Sequence, residues 1–117
     1  RIVFDRPIGM NQGIQHPLAE SWAELEAANL MAFTAAQKYD RGENCGAEAN
    51  AAKYLAGEAA FKACTNAIQT HGGMGYAKEF HVERYFREML IHRIAPVSPQ
   101  MILNYLAERV LELPRSY

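Results

Sequence analysis

The stretch that decides the fold is residues 45–70, which read CGAEANAAKYLAGEAAFKACTNAIQT. Small side chains recur along it at helical spacing, so the pattern predicts a long helix with one narrow face. That face consists of Ala49, Ala52, Ala56, Ala59, Ala60, Ala63 and Ala67. Tyr54, Phe61 and Ile68 lie on nearly the opposite side. A helix that is apolar on two faces is covered on both, so we expect one cover from this chain and the other from a missing helix or a second subunit.

Three other helical patterns surround this one. The first runs from about Pro17 to Asp40, with proline in its first turn and Gly42 just past its end. A short helix is predicted over residues 80–91, and a last one begins at Ser98-Pro99, a favourable N-cap followed by proline. No segment shows convincing strand alternation. Long helices with short connections predict an all-α, up-and-down helical bundle, with residues 1–117 forming one domain.

Helical periodicity also predicts which side chains face the core. The first helix is expected to bury Leu18, Trp22, Leu25, Ala32, Phe33 and Ala36, with Asn29 buried among them and hydrogen-bonded. The short helix is expected to bury Val82, Phe86, Met89 and Leu90, and the last one Leu103, Leu106, Val110 and Leu113.

Composition excludes several functions. The chain has 117 residues, half of them hydrophobic, and a formal net charge of -1, which argues against a nucleic-acid partner. No apolar run approaches the roughly 18 residues of a membrane span. Cys45 and Cys64 indicate a reducing compartment rather than a disulfide framework. Because residue 1 is arginine, we expect the chain to be a fragment of a longer protein or a processed product.

A glycine-rich turn follows the long central helix, reading QTHGGMGY over residues 69–76. Taken alone, this pattern is typical of a helix C-cap. Three glycines in four positions also leave the backbone open to close approach by a large group. With Arg84 and Arg87 just after it, and Ser98 at a later helix start, the turn suggests contact with a phosphate-bearing cofactor.

Other candidate chemistry is weaker. The four histidines do not cluster, and Glu88 with His92 is a single pair, so no metal site is predicted. No nucleophile–base pattern and no nucleotide-hydrolase phosphate loop is present. The free backbone N–H groups after Ser98, with the Gln100 amide beside them, form a candidate anion site.

Taken together, these elements resemble the C-terminal helical domain of acyl-CoA dehydrogenases. The resemblance rests on residues 1–8 (RIVFDRPI), 12–19 (QGIQHPLA), 69–79 (QTHGGMGYAKE), 82–87 (VERYFR) and 98–100 (SPQ), in this order. It covers essentially the whole chain. Residues 1–117 would then be one domain of a longer three-domain protein.

This resemblance implies a function. Family members bind FAD and oxidise an acyl-CoA thioester to the 2-enoyl-CoA: a carboxylate removes the α-proton and the flavin accepts hydride. Electrons pass to an electron-transfer flavoprotein, and subunits assemble as dimers of dimers in which each flavin contacts a neighbouring subunit. The resemblance does not specify the length or the branching of the acyl chain. A bacterial cytoplasm is the expected location, with a mitochondrial matrix as the alternative.

The resemblance also assigns cofactor contacts by position. Arg1, Phe4 and Gln12 resemble contacts to the flavin of a neighbouring subunit, and Gln69, Gly72 and Gly73 resemble the stretch that meets the other end of the dinucleotide. Ser98 and Gln100 resemble a Thr and Gln pair that follows the catalytic loop.

One departure from the family pattern is informative. Many members carry a glutamate base followed by glycine before that pair, whereas this loop has Pro96 and Val97. Proline cannot remove a proton, so the catalytic residue is unassigned. Either the base lies on an earlier helix, upstream of Arg1, or the chain belongs to a non-catalytic partner subunit.

Overall fold

The computed structural model describes residues 1–116 and confirms an all-α fold. Its helices are α1 (Gln12–Asp40), α2 (Gly46–His71), α3 (Gly73–Tyr76), α4 (Val82–Ile94) and α5 (Pro99–Arg109). A hairpin of two short antiparallel strands, β1 (Ile2–Val3) and β2 (Arg6–Pro7), precedes them, and 3-10 turns occupy Ile8–Met10 and Lys78–Phe80. Sequence reasoning missed this hairpin because two-residue strands are too short for an alternation pattern. Within residues 1–116, no helix is long and apolar enough to cross a membrane.

Helix α1 begins at Gln12, five residues before the predicted start, so Pro17 lies inside the helix. The chain tolerates this because proline removes only one backbone hydrogen bond, near the start of the helix. The other end follows prediction: Gly42 lies just beyond the helix with a φ of 71°. There its N–H donates to the Tyr39 carbonyl at 2.9 Å.

The face that α1 turns toward α2 differs from the predicted one. Its buried residues are Ser21, Ala28 and Ala35, one small side chain every seven positions. By contrast, Trp22 is 67% exposed and Phe33 60% exposed, and Leu18, Leu25 and Asn29 are exposed as well. The expectation of a large apolar inner face with a buried asparagine was therefore wrong. Two helices lined with small residues approach closely, and the large side chains are then left beside the contact rather than in it.

Polar groups fix the register of α1 against α2. The Asn66 side-chain amide donates to the Ser21 hydroxyl at 2.9 Å and to the Pro17 carbonyl at 3.2 Å. One turn away, the Lys62 ammonium forms ion pairs with Glu24 at 2.7 Å and Glu20 at 2.9 Å. These two carboxylates raise the pKa of Lys62 above its ordinary value. Because Pro17 lies opposite Asn66, α1 begins where α2 ends.

Helix α4 covers a second side of α2. The Phe61 and Phe86 rings pack with centroids 5.6 Å apart, and the Arg93 guanidinium lies 4.5 Å from the Phe61 centroid. Arg93 also pairs with Glu58 at 2.8 Å. Phe61 is therefore covered from within the chain. What stays open is part of the alanine face, where Ala49 and Ala56 are exposed.

Helix α5 packs against the first half of α2. Ser98 caps it as predicted, because its hydroxyl accepts a hydrogen bond from the Met101 N–H at 3.4 Å. The buried residue is Ile102, at 2% exposure, whereas Leu103, Val110 and Leu113 are 45–53% exposed. The predicted inner face was wrong by about one position around the helix. At its far end Tyr105 lies over Gly46, so close that a Cβ on Gly46 would overlap the hydroxyl.

This contact makes Gly46 a test of α5 packing. We expect Gly46→Ala to lower the free energy of unfolding by about 1–3 kcal/mol, because the added methyl overlaps the Tyr105 hydroxyl. Tyr105→Phe in the same chain removes that hydroxyl and is expected to recover most of the loss. The measurement is urea unfolding followed by circular dichroism.

Gly13→Ala is the matched control, since an added Cβ there meets nothing within 4 Å. Equal destabilisation by the two glycine substitutions would contradict this account of the contact.

Candidate functional site

The glycine-rich turn, which the sequence predicted as a cofactor contact, lies where α2 ends. Gly72 closes the helix with a φ of 61°, a conformation that favours glycine, and its N–H donates to the Gln69 carbonyl at 3.1 Å. The chain then enters the single turn α3, in which the Gly75 N–H donates to the Gly72 carbonyl at 2.9 Å. The C-cap interpretation is therefore confirmed, and the turn exposes Gly72 and Gly73 to solvent.

Gly75 is required by a close backbone approach. It is buried, and a Cβ built on it would lie 2.5 Å from the Ile68 carbonyl oxygen and 2.9 Å from the Ile68 Cα. Backbone atoms cannot move aside as a flexible side chain can. Gly73 is the opposite case, because a Cβ there meets nothing within 4 Å. Gly75 thus folds the turn back onto α2, and Gly73 faces open space.

Arg1 lies against this turn. Its carbonyl accepts a hydrogen bond from the Ile8 N–H at 3.0 Å, and its Nη1 atom is 3.8 Å from the position that a Cβ on Gly72 would occupy. An open cleft of about 630 Å³ lies beside them, lined by Arg1, Ile8, Thr70, His71, Gly73, Met74 and Phe80. The structure therefore brings together Arg1 and Gly73, which are separated by most of the sequence. Sequence reasoning missed Met74, an apolar residue inside the glycine-rich turn, and Phe80, which ends the 3-10 turn that follows it.

Phe4 lies at the tip of the hairpin. Phe4 and Asp5 form its two-residue loop, with φ of 52° and 59°, which is the type I′ arrangement usually occupied by asparagine and glycine. The Phe4 side chain is 94% exposed. A non-glycine residue in the left-handed region costs roughly 1 kcal/mol or more, and such strain concentrates at functional sites.

Gln12 and Gln69 lie at this same end of the bundle. Gln12 is the first residue of α1, Gln69 is in the last turn of α2, and both side chains are exposed. The Asn66–Pro17 hydrogen bond places the start of α1 beside the end of α2. Six of the eight predicted contact residues therefore share one end of the molecule.

Ser98 and Gln100 lie elsewhere. Helix α4 runs back along α2 until the His92 carbonyl accepts a hydrogen bond from Lys53 and lies 3.2 Å from a Cβ position on Gly57. Ser98 follows four residues after α4 ends. Gly57 and Gly72 are about 15 residues apart, roughly 22 Å of helix. The eight predicted residues therefore fall into two separate groups. We call them the first candidate half-site (Arg1, Phe4, Gln12, Gln69, Gly72 and Gly73) and the second candidate half-site (Ser98 and Gln100).

The loop between α4 and α5 contains no carboxylate in residues 95–98. The nearest preceding acid, Glu88, is exposed on α4 and lies 4.0 Å from Arg84. Arg87 likewise pairs with Glu83, at 2.5 Å. The two arginines considered for anion binding are thus held by acids of their own helix. Among residues 1–116, no group of three or more His, Cys, Asp and Glu side chains is placed to hold a metal.

Comparison with known proteins identifies the family. The family model for the acyl-CoA dehydrogenase C-terminal domain matches residues 1–111, so the chain belongs to the acyl-CoA dehydrogenase family. Acyl-CoA dehydrogenase FadE12 of Mycobacterium tuberculosis is 46% identical over all of this chain, which spans 31% of that protein. The caffeyl-CoA reductase-Etf complex subunit CarC of Acetobacterium woodii is 38% identical over 84% of this chain and 26% of its own length.

A solved structure, the FAD complex of PigA, superposes with a TM-score of 0.92 and 29% sequence identity. The match covers 97% of this chain and 29% of that one. The chain thus spans 26–31% of the length of these three proteins.

The Asn66 hydrogen bonds hold α1 and α2 in register at the end that carries the first half-site. We expect Asn66→Ala to lower the free energy of unfolding by about 1–3 kcal/mol, because it leaves part-buried Ser21 and Pro17 oxygens with one bond fewer. Thermal unfolding by calorimetry measures the change. Asn50→Ala is the control, since within residues 1–116 the Asn50 amide donates only inside its own helix, to the Gly46 carbonyl. An equal loss in both variants would contradict a role in helix register.

Proposed function

We propose that this chain is the C-terminal domain of a longer, FAD-dependent acyl-CoA dehydrogenase that forms the α,β-double bond of an acyl-CoA thioester. One observation carries the proposal: the fold places Arg1 against the Gly72 turn, beside a large open cleft. These are the residues that the family resemblance assigns to the dinucleotide. Membership of the family supplies the reaction class.

The residues present fit a dinucleotide cofactor. A guanidinium can hold two phosphate oxygens at once, and Arg1 stands at the mouth of the cleft with no ion pair in the described part of the chain. Gly72 and Gly73 offer backbone without a Cβ, so a large group can approach them closely. Phe4 presents an exposed ring for stacking on a flat heterocycle.

FAD, when bound, supplies the acceptor for the β-hydride. The part played by these residues is binding and orientation: Arg1, Phe4, Gln12, Gln69, Gly72 and Gly73 would hold one flavin, and Ser98 with Gln100 another. Two half-sites at different levels along α2 suit an assembly in which each flavin contacts two subunits. This favours an oligomer, and we propose a dimer of dimers.

The proton-abstracting carboxylate is proposed to lie upstream of Arg1. Residues 95–98 provide none, and Glu88 is already near Arg84. Pro96 favours a second candidate function, a non-catalytic partner subunit that completes the flavin site of another chain. The two candidate functions share the fold and the half-sites. They differ in whether the purified protein oxidises an acyl-CoA thioester without a partner subunit.

Partners and location follow from the family. We propose an electron-transfer flavoprotein as the electron acceptor and a bacterial cytoplasm as the location. The acyl group is contacted by parts of the protein outside these residues, so no chain length is proposed.

The test is to purify the full-length protein and add a panel of acyl-CoA thioesters without oxygen. Bleaching of the oxidised flavin absorbance by one of them, with appearance of the enoyl-CoA, is the expected result. Bound flavin without bleaching by any thioester would favour the partner-subunit function. A full-length protein that binds no flavin would contradict both.

Arg1 is the residue to substitute first. In the full-length protein we expect Arg1→Ala to weaken FAD binding about 10- to 100-fold, because a charge-assisted pair of hydrogen bonds to phosphate is lost. Arg1→Lys should recover part of the affinity, since lysine keeps the charge but not the planar fork. Fluorescence titration of the apoprotein with FAD measures both.

Arg41→Ala is the matched control, because Arg41 pairs with Glu43 at the opposite end of α1. Unchanged affinity in Arg1→Ala would contradict the assignment.

The Gly75 approach makes a second prediction about the same half-site. Gly75→Ala should displace the Gly72–Gly73 turn, because the methyl cannot fit against the Ile68 backbone, and FAD affinity should fall more than after Gly73→Ala. Gly73 faces open space and serves as the comparison. Flavin content per subunit, measured after gel filtration, shows which variant loses more flavin. A larger loss of flavin in Gly73→Ala than in Gly75→Ala would contradict the prediction.

A further inference from the structure

The end of α4 is determined by Pro96. A proline disfavours helical backbone at the residue before it, and Ala95 is extended, with a φ of -135° and a ψ of 158°. The Ala95 N–H still donates to the Ile91 carbonyl at 2.8 Å. Pro96 has no N–H, so it cannot donate to the carbonyl of His92, four residues earlier. The His92 carbonyl is therefore left for a partner outside its own helix.

Lys53 of α2 is that partner. Its ammonium donates a hydrogen bond to the His92 carbonyl, and within residues 1–116 it forms no ion pair. A positive charge at this end of α4 also interacts favourably with the helix dipole. Gly57 makes the approach possible, because a Cβ there would lie 3.2 Å from the same carbonyl oxygen. The last turn of α4 thus rests on the backbone of α2, with Lys53 as its hydrogen-bond donor.

The other side of this turn is held as well. Arg93 pairs with Glu58 at 2.8 Å, and its guanidinium lies 4.5 Å from the centroid of the Phe61 ring. Lys53 and Glu58 are five residues apart, which is about 140° around α2. They therefore reach the last turn of α4 from two different sides, and together they oppose its rotation as well as its displacement.

The loop that follows transmits the position of α4 to the second candidate half-site. It consists of residues 95–98 alone, between the end of α4 at Ile94 and the start of α5 at Pro99. Pro96 and Pro99 have fixed φ angles, so few backbone dihedrals are free to absorb a shift. A movement of the last turn of α4 would therefore displace Ser98.

We propose that Lys53 is a positioning residue for the second candidate half-site. By holding the His92 carbonyl, it fixes residues 95–98 and so the place from which Ser98 contacts the flavin. The proposal rests on the proposed function, in which Ser98 and Gln100 contact FAD. Lys53 acts through the backbone of α4 and needs no contact of its own with the cofactor.

Lys62 offers a matched control for a merely structural effect. It is also a lysine of α2, and it pairs with Glu20 and Glu24 of α1. Nine residues separate it from Lys53, roughly 13 Å of helix. Lys62→Met therefore removes two ion pairs from the same helix without touching the end of α4.

A double-mutant cycle in the full-length protein tests the proposal. FAD affinity of the apoprotein is measured by fluorescence titration for Lys53→Met, Ser98→Ala and the two combined. Each single substitution is expected to weaken binding about 5- to 20-fold, and the pair at most about twofold more than the worse of them, because both remove one contact. Lys53→Arg keeps a charged donor and is expected to recover most of the affinity.

Unchanged affinity in Lys53→Met would overturn the proposal. So would losses that multiply when Lys53→Met and Ser98→Ala are combined, because Lys53 would then act independently of Ser98. An equal loss with the same non-additivity in Lys62→Met would also overturn it, since general destabilisation would then explain the effect.

Hydrogen exchange tests the same link without flavin. The Met101 amide donates to the Ser98 hydroxyl at 3.4 Å, so its exchange reports the position of Ser98. In the flavin-free full-length protein, Lys53→Met should speed this exchange at least about fivefold, and Lys62→Met should change it by less than about twofold. Unchanged exchange in Lys53→Met would overturn the proposal.

The two measurements also separate this proposal from the proposed function. An unsubstituted full-length protein that binds no FAD would contradict the proposed function. Faster Met101 exchange in Lys53→Met of that protein would still support the role of Lys53 in holding residues 95–98.

Discussion

The close approach of three helices to α2 is the constraint on which the rest of the structure depends. Gly46 lies under the Tyr105 hydroxyl, Gly57 lies under the His92 carbonyl, and Ala52 and Ala59 are buried beneath α1. None of these positions could carry a large side chain without moving a neighbouring helix. Since both half-sites are attached to helices that α2 positions, their spacing is set by these small residues.

Small residues alone permit sliding, so polar contacts are needed to select one register. Asn66 joins Ser21 and Pro17 at one level, Lys62 joins Glu20 and Glu24 a turn earlier, and Arg93 joins Glu58 on the α4 side. Hydrogen bonds and ion pairs of this kind contribute modestly to stability. Their larger effect here is geometric, because the start of α1 is held beside the end of α2, at the end of the bundle where Gln12, Gln69 and Arg1 lie.

The sequence predicted the helices well and their buried faces less well. α2, the Ser98 cap and Gly42 follow from strong local signals: an alanine repeat, an N-cap followed by proline, and a glycine at positive φ. The inner faces of α1 and α5 were mispredicted, because periodicity finds an apolar face but not the partner that covers it. Trp22 and Phe33 belong to such a face, and within residues 1–116 it is open. The proximity of Arg1 to Gly72 depends on tertiary packing, so helical periodicity could not predict it.

The Phe4–Asp5 loop has a consequence for how this sequence can change. Folding by itself would favour asparagine and glycine at these two positions, because they adopt left-handed backbone at less cost. Selection for folding stability alone, as in a laboratory evolution experiment, would therefore favour Asn-Gly at these two positions. The exposed Phe4 ring would then be lost. An aromatic residue that persists at this tip among natural variants would indicate that contact with another molecule is selected there, even though it lowers the stability of the fold.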